Sequence, residues 1–246
     1  IISLRGGVYR LKETLIFGLE DSAPEGHTVR YKAYQDEEPV LTSTELISGW
    51  KKLTSFPSDL PIVAQGNVWV ANIENAKNWQ FRTLFDDEKM LSRARSAGFV
   101  PTMECPAPSL AHRWEDLNTL GFPEGALRNW DNLEDVEIFI RPTHQWLVNY
   151  LPIEKVDENK NIATTRVSGT YRLCKVVNKD WDETCWVENV LEAMDEPGEW
   201  VLNSKTGKLY YWPESGNPGD NISAPVVREL VLVEGKNVDA VEGDMP

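Results

Sequence analysis

Residues 195–213 read DEPGEWVLNSKTGKLYYWP. Two alternating runs, 199–203 and 208–212, flank Ser204-Lys205-Thr206-Gly207. That spacing predicts a β-hairpin in which Gly207 supplies the positive φ that closes a short loop. Trp200 and Leu202 point one way from the first strand, and Leu209 and Tyr211 share a face of the second. Pro213 ends the pairing, because it has no N–H to donate.

Working outward from the hairpin, Gly, Pro, Asn and Asp recur between short runs rich in Val, Ile, Thr, Tyr and Trp, the pattern of an all-β protein. Strands are predicted over residues 28–33, 68–71, 81–85, 90–94, 136–140, 146–150 and 162–167, besides the hairpin itself. Helical wording is scarce. Residues 108–120 suit one helix, with Ser109 as cap and Trp114 and Leu117 on one face. Residues 133–135 allow a single turn.

The ends differ from the middle. Residues 1–50 and 223–241 carry short apolar strands separated by turns, as the successive sides of a solenoid coil do. Val226-Val227 and residues 230–233 read as strands that rejoin it. The stretch between reads as a β-sandwich or barrel-like domain of ordinary size.

The chain has 246 residues, 41% of them hydrophobic, with ten Trp, which excludes a disordered protein. No apolar run reaches the roughly 20 residues that span a bilayer. The chain starts at Ile1-Ile2-Ser3-Leu4, so any signal peptide has been removed. The net charge of −14 repels phosphates and anionic lipid, so neither nucleic acid nor membrane is an expected partner. The same charge favours a neutral glycan over an anionic one, unless basic residues cluster locally. Solubility alone also accounts for it.

Cys105, Cys174 and Cys185 have no C-x-x-C spacing, which argues against zinc. Cys174 and Cys185 flank residues 175–184. A disulfide across that loop and small buried thiols are the two readings.

Several segments carry a family resemblance. They are residues 5–11 (RGGVYRL), 29–39 (VRYKAYQDEEP) with Val40-Leu41 and Ile47-Ser48-Gly49-Trp50, 81–95 (FRTLFDDEKMLSRAR) and 186–200 (WVENVLEAMDEPGEW). Together with the hairpin, their order and spacing resemble bacterial carbohydrate-active enzymes built on a right-handed parallel β-helix, of xylosidase or fucosidase type. Relatives carry Asn or Gly at the tip of the 81–95 hairpin. Asp86-Asp87-Glu88-Lys89 stands here and predicts a wider, acidic loop.

The resemblance implies a β-sandwich or barrel-like domain inserted between the first coils of a right-handed parallel β-helix, with few short helices. Residues 1–50 would hold the first strands, 51–222 the insert, and 223–246 the return. The chain then reads as the N-terminal region of a longer glycoside hydrolase acting on plant or algal polysaccharide, secreted or periplasmic. The alternatives are a non-catalytic glycan-binding or cell-surface module, and a fragment of a polysaccharide lyase.

Glycosidases need two facing carboxyl groups. Asp36-Glu37-Glu38 and Asp86-Asp87-Glu88 sit on turns, where acids are ordinarily solvated. Glu192, Asp195 and Glu196 serve the turn before Pro197-Gly198. His27, His112 and His144 lie in unrelated segments, and no nucleophile elbow or zinc-helix motif is present. We therefore expect no catalytic residue, metal or cofactor here, and catalytic acids beyond Pro246. An oligo- or polysaccharide is the expected partner, met through aromatic faces. Trp130, Trp146, Tyr150, Trp181 and Trp186 are the candidates. Trp146 and Trp186 lead because each adjoins a polar, turn-like stretch.

Overall fold

The computed structural model describes residues 1–105, 116–142, 146–176 and 185–235. The protein is all-β. Helical structure among the described residues is confined to single 3-10 turns, including Leu133–Asp135 and Leu191–Ala193. Most of residues 108–120 lie outside the description, but their end is strand (Thr119–Gly121), not helix. The chain divides into two compact units, Ile1–Leu46 with Ser223–Pro246, and Ile47–Ile222.

The first unit is built from short parallel pairs. Ile2–Leu4 lies beside Tyr31–Ala33, Gly7–Arg10 beside Pro39–Thr42, and Leu15–Phe17 beside Val231–Val233. Arg5 and Glu37 clasp the turns between them through two hydrogen bonds from Nε, 2.9 and 2.8 Å. None of residues 1–46 is buried. Alternating strand residues present apolar side chains to one face, and here Val8 (59% exposed) and Ile16 (55%) remain open to solvent.

The second unit holds two large sheets and a short parallel pair. In the first, strands run in the order Leu84–Asp86, Lys89–Arg93, Glu199–Asn203, Lys208–Tyr211, Trp69–Asn72 and Lys51–Lys52. Glu199–Asn203 and Lys208–Tyr211 are the hairpin read from the sequence, with Trp200 opposite Tyr211, Leu202 opposite Leu209, and Gly207 at φ 67°. Both its faces are covered. Trp200, Leu202, Leu209 and Tyr211 are buried on one side. Val201, Tyr210 and Trp212 pack with Leu60, Ala64, Val68 and Met194 on the other. The 81–95 hairpin closes more tightly than its wording predicts. Lys89 pairs directly with Asp86, and Asp87 takes the left-handed conformation at φ 53°. Asp tolerates that region because its short polar chain bonds locally, so no Asn or Gly is required.

The second sheet is five-stranded and antiparallel: Thr119–Gly121, Ile162–Thr165, Asn149–Asp157, Glu137–Ile140 and Cys185–Glu188. Its inner face supplies Leu120, Ile138, Ile140, Leu151, Ile153, Ala163, Cys185 and Val187 to one core with Phe99, Phe122 and Leu127. Residues 94–99 run from the first sheet along the edge of the second. Ser96 N–H donates to Val187 C=O and Phe99 N–H to Cys185 C=O.

The disulfide joins Cys105 to Cys174, not Cys174 to Cys185. Parallel pairing of Glu104–Cys105 with Lys175–Val176 brings those Cα atoms to 5.8 Å, a bonding distance. Cys185 instead points into the sheet's core, where burial pushes its thiol pKa up.

Candidate functional site

The outward face of the five-stranded sheet gathers the chemistry. Residues two apart on a strand share a face, so Glu137 and Phe139 project together, as do Trp186 and Glu188. Antiparallel register then aligns two cross-strand rows, Trp186–Phe139–Tyr150 and Glu188–Glu137–Pro152. The inner residues Ile138, Ile140 and Val187 fix this register by burial.

The aromatic row is a ladder. Phe139 stacks on Trp186 with centroids 3.7 Å apart and planes 8° off parallel, and Tyr150 meets Phe139 edge-on at 5.2 Å. Phe139 fills one face of Trp186, which leaves the other to the Arg95 guanidinium, 5.2 Å from the ring centroid. Arg141 lies 5.9 Å from the Phe139 centroid. Arg95, Arg141 and Tyr150 are exposed, Trp186 is half-buried and Phe139 is buried. Burial, then the Glu188 carboxylate, raises the Tyr150 pKa, so its hydroxyl is a neutral donor.

The carboxylate row is locked. Arg93 donates from Nη1 to Glu137 Oε2 at 2.6 Å and lies 3.5 Å from Glu188 Oε2. Arg82 meets the other Glu137 oxygen as an ion pair without hydrogen-bond geometry. Glu188 accepts the Trp186 indole N–H at 3.0 Å. Arg93 is thus the shared partner of both carboxylates. Glu137 is 4% exposed and sits among guanidinium groups, so its carboxylate is held in ion pairs. The row is a buried ion network that orders the face.

Of the aromatic candidates, Trp186 is a rung of the ladder with its faces covered, so it offers an edge to a ligand and not a stacking plane. Tyr150 stands beside it. Trp146 is 78% exposed in the loop between Glu137–Ile140 and Asn149–Asp157. Trp130 packs under the core. Trp181, His112 and His144 lie outside the described residues.

Three of the turn acids are paired locally. Asn221 donates to Asp87 at 2.6 Å, Glu37 holds Arg5, and Glu192 pairs with Arg128 at 3.1 Å. Among the described residues no group of three or more His, Cys, Asp or Glu is placed to hold a metal. A shallow groove beside the 149–165 hairpin, lined by Asn129, Leu133, Glu154, Asp157, Glu158 and Lys160 among others, carries no aromatic ring.

Sequence reasoning missed Arg93, Arg95, Glu137, Phe139 and Glu188. The signal was there as matched alternation. Glu137-Ile138-Phe139-Ile140 and Cys185-Trp186-Val187-Glu188 each place polar or aromatic residues opposite buried ones, and Arg93 and Arg95 are two apart.

Three comparisons bear on this site. Residues 66–214, which contain every residue of the ladder and the ion network, match the family model described as the GH141 insertion domain. A solved structure named as a glycoside hydrolase superposes with a TM-score of 0.65 at 23% identity, over 96% of this chain and 40% of that one. At that identity the likeness is one of fold, and this chain spans 40% of that protein's length. No curated protein matches the chain.

Proposed function

The chain belongs to the GH141 insertion domain family, and from that premise we propose that it is the non-catalytic, glycan-contacting part of a glycoside hydrolase. One observation carries the reading. The aromatic ladder of Trp186, Phe139 and Tyr150 lies on an outward face rimmed by exposed Arg95 and Arg141, while the nearest carboxylate pair is locked by Arg93. Apolar ring edges beside fixed polar donors suit a sugar, whose C–H surface and hydroxyls need both. Acid–base hydrolysis needs a free pair across a cleft, so the catalytic acids belong to another part of the enzyme.

The parallel strand pairs of the first unit support reading it as coils of a right-handed parallel β-helix. The absence of any buried residue in 1–46 supports it too, because solenoid coils bury their apolar sides only when stacked. On this reading residues 51–222 are an insertion between the coils. The Cys105–Cys174 disulfide supports an oxidising compartment, secreted or periplasmic. Plant or algal polysaccharide remains the proposed substrate class, with xylose or fucose as the sugar acted upon.

The test has two arms. Incubated with xylosyl and fucosyl chromogenic substrates and with xylan, the chain should produce no turnover. Measurable turnover would sink the claim that the acids lie elsewhere. In glycan titrations the Trp146→Ala variant should bind several-fold more weakly. Unchanged binding would remove Trp146 from the surface that meets sugar.

A further inference from the structure

We propose that the aromatic ladder selects an acidic glycan, with the exposed guanidinium groups of Arg95 and Arg141 each offering a fork to a uronate carboxylate of the chain. The inference rests on the reading of this face as the glycan contact, and adds the chemistry of what it takes.

The four arginines near the ladder divide into two kinds. Arg82 and Arg93 are consumed by Glu137 and Glu188. Arg95 and Arg141 are exposed, and among the described residues neither has a carboxylate partner. Each lies near a ring instead, Arg95 5.2 Å from the Trp186 centroid and Arg141 5.9 Å from that of Phe139. A guanidinium bound to a ring uses its π face. Its N–H donors lie in its own plane and stay available, in the fork geometry that matches a planar carboxylate.

Charge makes the arrangement selective. The protein carries −14 overall, a field that turns anionic glycans away from most of its surface. Two exposed arginines outside the ion network, one near Trp186 and one near Phe139, mark a local exception. Tyr150, exposed at the other end of the ladder, adds a neutral phenol to the same face. The carboxylate takes the guanidinium fork, and a ring hydroxyl takes the Tyr150 oxygen.

Calorimetric titration of the full chain at low salt tests this with three probes: an oligogalacturonate, an unsubstituted xylo-oligosaccharide and a sulfated galactan oligosaccharide. The uronate should bind about tenfold tighter than the neutral probe. Arg95→Gln and Arg141→Gln should each remove most of that advantage, weakening uronate binding several-fold more than neutral binding at an unchanged melting temperature. Arg95→Lys, which keeps the charge but not the fork, should recover only part of it.

Equal affinity for neutral and acidic probes would overturn the inference, as would a uronate preference that both Gln variants retain. Tighter binding of the sulfated probe than of the uronate would also overturn it, by pointing to charge without carboxylate geometry. Binding of none of the three would instead refute the glycan-contacting role itself.

Discussion

Replacing Asn189 by alanine should cost the second unit about 3–5 kcal/mol. Asn189 is 1% exposed and sits at φ 69°, between the strand Cys185–Glu188 and the central hairpin. Its side-chain amide acts as a length of β-strand. Oδ1 accepts the Leu202 N–H at 2.8 Å and Nδ2 donates to the Leu202 C=O at 2.8 Å and to the Asp135 C=O at 3.2 Å. Alanine leaves the buried Leu202 N–H without a partner, a desolvation loss of about 1–3 kcal/mol, and deprives two carbonyls as well. It also places a Cβ in the left-handed region without the local bonding that offsets it, about 1–2 kcal/mol more. Glycine at the same position removes only the polar part, so Asn189→Gly should be about 1 kcal/mol milder than Asn189→Ala. Urea unfolding followed by tryptophan fluorescence reads both, because Trp200 lies in the hairpin that Asn189 anchors. A midpoint shift worth under 1 kcal/mol for the alanine variant, at unchanged slope, would refute the network's role.

Burial raises the pKa of Asp135 and Glu199 despite N–H donors from Ser204 and from Asp195 and Glu196. The native state therefore holds those protons more tightly than the unfolded chain. The stability they confer is present below the ordinary carboxylate range and falls as pH climbs through the raised values. Asp135→Asn keeps an acceptor for Ser204 and should flatten that decline; an unaltered pH–stability curve would contradict it. Arg93→Met leaves the buried Glu137 with the exposed Arg82 alone and should cost about 3 kcal/mol, while Arg93→Met with Glu137→Leu should recover much of it; equal losses in single and double variants would argue against the ion network. Reduction of Cys105–Cys174, which closes a separation of 69 residues, should lower stability by about 4 kcal/mol, read as a drop in denaturation midpoint with reductant. An unshifted midpoint would show that the sheets alone hold those strands.

Much of the β-structure was legible because local rules and tertiary context agree. The hairpin at 199–211 has alternation, a four-residue loop and a glycine at the one left-handed position. Where the chain departs from a local rule, legibility ends. The Asp86–Lys89 turn reads as wide because it lacks Asn or Gly, yet Asp87 adopts the positive φ. The disulfide could not be read from spacing, since the partners Cys105 and Cys174 meet through a parallel pairing remote in sequence. The ladder was half legible. Trp186 and Tyr150 stood out as aromatic candidates, but that Trp186 stacks on Phe139 depends on register, which links residues 139 and 186 across the sheet. The arginine rim was less visible still, because Arg95 reaches the face through the crossing segment 94–99.

A crystal structure of the chain with a bound oligosaccharide tests the central claim most directly. The account predicts sugar against the outward face of the five-stranded sheet, touching Tyr150, Arg95 and Arg141, with Glu137 still enclosed by Arg82 and Arg93. Sugar seated instead in the groove beside the 149–165 hairpin, or a glycosidic bond lying between freed Glu137 and Glu188 carboxylates, would contradict it.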